Sequence, residues 1–167
     1  TQAVFDFELD AENTPAALTT DAIYSCIAVT PLDAEGDVVL VTLDRPTGRD
    51  GLPLATDLPV ERFGPLAILG HPDGLPRKIA LGASVLQDDP ALPWFVTDLD
   101  SFAGNSGSPV IDLVSYQVVG MLIGGEADYE RTGDGCLAAR VCDPAAGECS
   151  GEAVLRTAVF AAWLQAP

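Results

Sequence analysis

Apolar residues recur at every second position in short runs along this chain, and a helical period occurs only near its end, so the sequence is suited to sheets rather than helices. Residues 3–9 alternate apolar and polar positions in the manner of a half-buried strand, and residues 23–29 read the same way. Asp37-Val-Val-Leu-Val-Thr-Leu-Asp-Arg-Pro46 is a β-branched run opened by an acid and closed by a proline. Further strand-like runs occupy residues 65–70, 78–85, 94–96, 108–113 and 117–123. The last two flank a turn at Val114-Ser-Tyr116 and predict a hairpin ending at Gly124-Gly125. In the tail, Val154-Leu155, Val159-Phe160 and Trp163-Leu164 recur at helical intervals, which predicts a strand running into a short amphipathic helix. The expected class is all-β, a barrel or a sandwich, with one C-terminal helix.

The Pro/Gly-rich connector at 47–64 has little periodicity and divides the chain into an expected first part, residues 1–60, and a second, residues 61–167. The 25 acidic and 8 basic side chains leave a formal charge of -17, a surface that repels phosphates and anionic lipid; neither nucleic acid nor a membrane is an expected partner. No apolar run approaches the roughly 20 residues that span a bilayer. The start, Thr1-Gln-Ala, lacks the features of a signal peptide and reads as a cut point. Cys26, Cys136, Cys142 and Cys149 are even in number, contain no Cys-x-x-Cys pair and lie far from the single histidine, so disulfides are expected rather than zinc. Three connectivities are possible; the expected one joins Cys142 to Cys149 and Cys26 to Cys136, and with it goes a secreted or periplasmic location.

The residues that carry chemistry cluster in Asp98-Leu-Asp-Ser-Phe-Ala-Gly-Asn-Ser-Gly-Ser-Pro-Val110, a polar, glycine-rich turn between two apolar runs. Glycines there permit backbone angles that let successive N–H groups converge on one point beside a small hydroxyl residue. This predicts Ser106 as a nucleophile, with the amides of Gly104 and Ser106 forming an oxyanion hole.

The turn resembles the serine loop of chymotrypsin/trypsin-like serine peptidases, in the Gly-Asn-Ser-Gly-Ser form of the bacterial, V8-like members. The resemblance covers nearly all of the chain. The run 37–46 is similar to the strand carrying the family's triad acid, which implies Asp37 as the orienter of an imidazole. Leu69-Gly-His-Pro72 resembles the opening of the second barrel, and Val119-Gly-Met-Leu-Ile-Gly-Gly125 the strand along which substrate pairs, with Ile123, Gly124 and Gly125 lining the specificity pocket. Asp100, six positions before Ser106, falls at the floor of that pocket; a buried carboxylate there implies a preference for Arg or Lys. Residues 151–164 are similar to the last strand and closing helix. The implied fold is two β-barrels, the C-terminal part of the first in residues 1–60 and the second with its helix in residues 61–167. No cofactor and no metal is implied.

One departure stands out. The mechanism needs a general base of matched pKa, and the family places that histidine before the acid, where this chain has none. His71 is the only imidazole; its Pro-flanked turn belongs to the second barrel and predicts a local hydrogen bond rather than catalysis. About three strands precede Pro46, whereas closing a barrel takes roughly six to eight. An N-terminal chain or segment of the same protein is therefore expected to carry the histidine, and this chain alone is expected to be inactive. The leading reading is a secreted endopeptidase acting on protein or peptide substrates. The alternatives are a non-catalytic relative that binds peptides or proteins, and a carbohydrate-binding or structural β-sandwich with a coincidental Gly/Ser turn.

Overall fold

The structure, a computed structural model, describes residues 1–32, 38–57, 59–60, 63–142 and 147–164. It is mostly strand and separates into two compact units, Thr1–Gly51 with the chain's end from Trp163, and Leu52–Ala162.

The first unit is an antiparallel sheet of β1 (Gln2–Val4), β2 (Ile23–Pro31) and β3 (Val39–Leu43), in that order. The strand expected over residues 3–9 stops at Val4. Asp6 adopts a left-handed φ of 62°, which a strand cannot continue through, and Leu9 makes only an isolated bridge to Pro15. Phe5 packs edge-on against Tyr24 at 5.2 Å, and Arg45 lies over the Tyr24 ring at 3.9 Å while donating to the carbonyls of Asp21 and Ile23. Beyond this cluster the β2–β3 ribbon is open. Ile27 and Val29 are 64% and 58% exposed, and Val39, Leu40 and Val41 are exposed opposite them.

The second unit holds a seven-stranded sheet in the order β5-β4-β8-β9-β12-β7-β6: β4 is Leu66–Gly70, β5 Lys78–Ala83, β6 Val85–Gln87, β7 Trp94–Thr97, β8 Pro109–Asp112, β9 Gln117–Gly124 and β12 Glu152–Arg156. The single strand expected over 78–85 is thus two. Its halves lie at opposite ends of the sheet order with only Ser84 between them, so the sheet must curl until its edges approach. Register shifts at Leu66/Ala67, Val110/Ile111 and Ala153/Val154 supply the bends that such curling needs. Inside lie Leu66, Ile68, Phe95, Val110, Val119, Leu122 and Val154, each almost wholly buried, with Phe63 edge-on to Phe95.

Asp112 ends β8 and is 1% exposed, yet it is fully served: Oδ1 accepts from the Gly64 amide and Oδ2 from the Ser115 amide, each at 2.6 Å. The hairpin expected around 114–116 forms with Tyr116 at a left-handed φ of 57°. As the tail pattern implies, β12 passes straight into α1 (Thr157–Leu164). A second hairpin, β10 (Tyr129–Arg131) with β11 (Leu137–Ala139), was not legible as strand.

The cysteine pairing is half as expected. Cys142 and Cys149 form a disulfide, but Cys26 and Cys136 are free thiols, which corrects the second predicted bridge. The physical difference is reach: seven residues of chain bring the first pair together locally, while Cys26 on β2 and Cys136 at the head of β11 belong to different units.

Candidate active site

The serine turn leaves the sheet at Asp98, after β7, and rejoins it at Pro109, where β8 begins. Period-two alternation persists through its first arm: Leu99 and Ser101 face inward and are buried, while Asp98 and Asp100 are exposed. This corrects the expectation of a buried carboxylate at Asp100, because the inward positions of that arm are odd-numbered.

The turn is fastened at several points. The Ala103 amide donates to Asp128 at 2.7 Å, the Ala103 carbonyl accepts from the Asp73 amide at 2.7 Å, and the Asn105 amide donates to the Phe102 carbonyl at 3.1 Å. Asn105 points inward and is 4% exposed; its Nδ2 donates to Ser101 Oγ at 3.3 Å, and its Oδ1 is the buried side-chain atom left without a partner among the described residues. On the far side, Gly107 N–H reaches the Leu122 carbonyl at 2.8 Å, and the Leu122 amide reaches the Ser108 carbonyl at 3.0 Å, which docks the turn on β9.

Between these anchors Gly104 and Ser106 are exposed, and their two amides meet no acceptor among the described residues. Gly104 holds φ at 92°, a conformation that leaves its amide outside any ladder and that a side chain resists. A Cβ there would also lie 3.1 Å from the Asp73 amide nitrogen and 3.2 Å from the His71 carbonyl oxygen. Two free N–H groups beside an accessible hydroxyl can stabilise negative charge developing on an oxygen that the hydroxyl's carbon partner carries.

Ile123 and Gly124 are half-buried and Gly125 is exposed. The last β8 partner of β9 is Met121, and the serine turn caps Leu122; on the β12 side Gly124 still pairs with Ala153. Among the described residues, 123–125 therefore have one side unpaired, a short edge beyond the point where the serine turn docks on Leu122. His71 does what its turn predicts: Nδ1 is hydrogen-bonded to the Leu75 carbonyl at 3.0 Å. Asp37 lies outside the described residues.

Sequence reasoning missed Glu152. It opens β12, is 9% exposed and lies against Gly125, and burial, aided by Asp128 and Glu126, raises its carboxyl above the usual carboxylate range against a hydrogen bond from the Glu126 amide. The signal was available, since Glu152 shares a strand face with Val154, a core residue.

A family model described as a trypsin-like peptidase domain matches residues 4–121, which include the whole serine turn and stop short of residues 123–125. Among solved structures, the chain is similar to Rv3671c from M. tuberculosis H37Rv, crystallised as a serine-to-alanine mutant in an inactive form. The TM-score is 0.54 at 18% identity over 88% of this chain, and the chain spans 66% of that one's length. No curated protein matches the chain.

Proposed function

This chain belongs to the trypsin-like peptidase family, and we propose on that footing that it is the nucleophile-bearing part of a secreted serine endopeptidase of the bacterial, V8-like type. Ser106 Oγ attacks the scissile carbonyl and gives its proton to an imidazole. The resulting oxyanion is held by the amides of Gly104 and Ser106. Collapse breaks the C–N bond as the imidazolium returns the proton to the leaving amine, and water, deprotonated by the same base, then releases the acyl group from Ser106. Asp37 orients the imidazole. Substrate adds as a strand along residues 123–125.

The observation that carries this reading is the pair of amides without acceptors among the described residues beside an exposed hydroxyl, in a turn fastened around them by the amides of Ala103, Asn105 and Gly107. The base is supplied by an N-terminal segment of the same protein. The exposed aliphatic side chains on β2 and β3 support that part of the proposal, since strands added there would cover them. The Cys142–Cys149 disulfide supports an extracytoplasmic setting.

Titration of the complete protein with a fluorophosphonate tests the proposal. Stoichiometric labelling that Ser106→Ala abolishes is expected. An absence of labelling in a sample containing every segment leaves the non-catalytic reading, a module that binds peptides at the 123–125 edge. That reading is favoured by one observation, the commitment of His71 to Leu75. Intact mass with and without reductant locates the histidine-bearing segment; a well-folded sample holding only the 17.4 kDa species overturns a separate, nicked chain.

A further inference from the structure

Asn105 stands between the two residues whose amides meet no acceptor among the described residues, yet its own side chain turns inward and is 4% exposed. Nδ2 donates to Ser101 Oγ at 3.3 Å, while the buried Oδ1 accepts from no donor among the described residues. An amide oxygen withdrawn from water without a donor carries the desolvation cost of a hydrogen bond it does not make. Other inward polar groups of this unit are served: Asp112 accepts through both oxygens, and Thr157 Oγ1 donates to the Val118 carbonyl at 2.8 Å.

Oδ1 lies over a bare place in the neighbouring strand. A Cβ on Gly70, the last residue of β4, would overlap it. Gly70 and Asn105 together line a cavity of about 370 Å³, a volume within the range of small-molecule sites. Ile68, Leu75, Ile79 and Ala80 make much of its wall apolar, and Leu75 and Ile79 are exposed, an apolar rim left uncovered. Phe102 and Tyr129 add two aromatic rings, their centroids 5.7 Å apart and their planes tilted by 41°.

The charged groups around the cavity do not call for a charged guest. The Asp73 carboxylate accepts from the Tyr129 hydroxyl, and Lys78 and Asp100 are exposed. An ammonium head would give up its water for one bond to a neutral amide oxygen, whereas a neutral N–H or O–H gives up less. A compact aromatic body with one neutral donor matches the apolar wall, the two rings and Oδ1 together.

We propose that this cavity binds a small neutral aromatic molecule through an N–H or O–H donated to Asn105 Oδ1, and that its occupancy steadies the serine turn. The cavity reaches that turn directly. Asp73 lines it, donates its amide to the Ala103 carbonyl at 2.7 Å and, with His71, abuts Gly104. A donor supplied to Oδ1 favours the arrangement in which Asn105 points inward, and with it the exposed positions of Gly104 and Ser106 on either side. Binding does not depend on what Ser106 does; the effect on labelling rests on the reading of Ser106 as the nucleophile.

Indole and 1-methylindole differ in the donor, and calorimetric titration of each into the complete protein tests the site, with amide spectra locating it. Indole is expected to bind once per chain, at least tenfold more tightly than 1-methylindole, and to shift the amides of Gly70, Ile79, Phe102 and Asn105. Asn105→Ala is expected to bring the two affinities within threefold of each other. Equal affinities for wild type, no saturable binding, shifts confined to another part of the chain, or tighter binding of 2-aminoindane, an ammonium of similar size, overturn the site. Where Asn105→Ala does not fold, Tyr129→Ala takes its place: it should weaken indole at least fivefold, and an unchanged affinity overturns the pocket.

The rate of fluorophosphonate labelling with and without saturating indole reads the second half of the proposal. Labelling at least threefold faster with indole is expected, and an unchanged or slower rate overturns the coupling. A complete protein that never labels yet binds indole at these residues has lost the peptidase reading and kept the site, whereas one that labels but binds no indole has lost the site alone.

Discussion

Gly104 and Gly107 offer a paired test of whether the free amides matter to chemistry. Both hold left-handed angles, φ 92° and 88°, so alanine at either incurs about 1–2 kcal/mol of backbone strain. At Gly107 nothing lies within 4 Å of the added Cβ, and its amide is already engaged by Leu122. At Gly104 the Cβ meets the backbone of His71 and Asp73 at 3.2 and 3.1 Å, so either the peptide shifts or its neighbours do, and its amide is one of the two without an acceptor. The stability losses should be similar, roughly 2 kcal/mol for Gly104→Ala and slightly less for Gly107→Ala, or about 4–8 °C in Tm for a chain of this size. The catalytic losses should not be similar. Displacing one oxyanion donor lowers kcat by about 10²–10³, whereas Gly107→Ala keeps its kcat within tenfold. Thermal melts of both variants, beside the burst of p-nitrophenol from an activated ester added to the complete protein, read the two quantities separately. Equal falls in kcat, or a Gly104→Ala variant with unchanged kcat, would refute the assignment of the Gly104 amide.

Asp112→Ala strands the amides of Gly64 and Ser115 and should cost about 3 kcal/mol in chemical denaturation. Burial pushes the Asp112 carboxyl up, but hydrogen bonds from Ser115, Gly64 and Val114 hold it below its ordinary 3.8, so its contribution is complete above that value and lost as pH falls through the lower folded one. Acid unfolding of wild type should therefore steepen below about pH 4, and that steepening should be absent in the variant. Glu152 behaves oppositely: its raised carboxyl favours the fold below the ordinary value of 4.5 and loses that advantage as pH rises through the folded one, so Glu152→Gln should leave Tm at pH 7 unchanged or higher. A clear drop in Tm would mean the carboxylate is structural. Gly70→Ala would drive a Cβ into Asn105 Oδ1 and Ser108 Oγ, and it should abolish fluorophosphonate labelling while the far-ultraviolet circular dichroism persists. Reduction of Cys142–Cys149 opens a loop of seven-residue separation and should cost about 2 kcal/mol, visible as a lower Tm with dithiothreitol.

Most strands were legible because they are long enough for alternation or apolar content to show. Leu66–Gly70 is a continuous apolar run, buried at every position but Leu69; Gln117–Gly124 carries its turn signal and its terminal glycines. The failures are local overrides. Residues 3–9 alternate from Phe5 onward, and Asp6 breaks the strand with a single backbone angle; alternation carries no information about φ. Residues 78–85 read as one strand because a bend at Ser84 changes the sheet neighbour without interrupting the pattern. The β10–β11 hairpin, three residues a side and mostly exposed, has no buried face to impose a period.

The serine turn was legible for a different reason: its glycines sit where the backbone needs positive φ, and a requirement of that kind is written in single residues rather than in periodicity. Glu152 was not, although its neighbours announce it. Read along the chain, Gly151-Glu-Ala-Val-Leu is a strand with an acid at its start, which is ordinary. Only the inward parity fixed by Val154, together with the bare Gly125 just past the adjoining strand, shows that the acid is buried. The same sheet contains Asp112, 1% exposed against 9% for Glu152 and hydrogen-bonded through both oxygens, so burial alone does not set the direction in which an inward carboxyl shifts: Asp112 is held below its ordinary value and Glu152 above it.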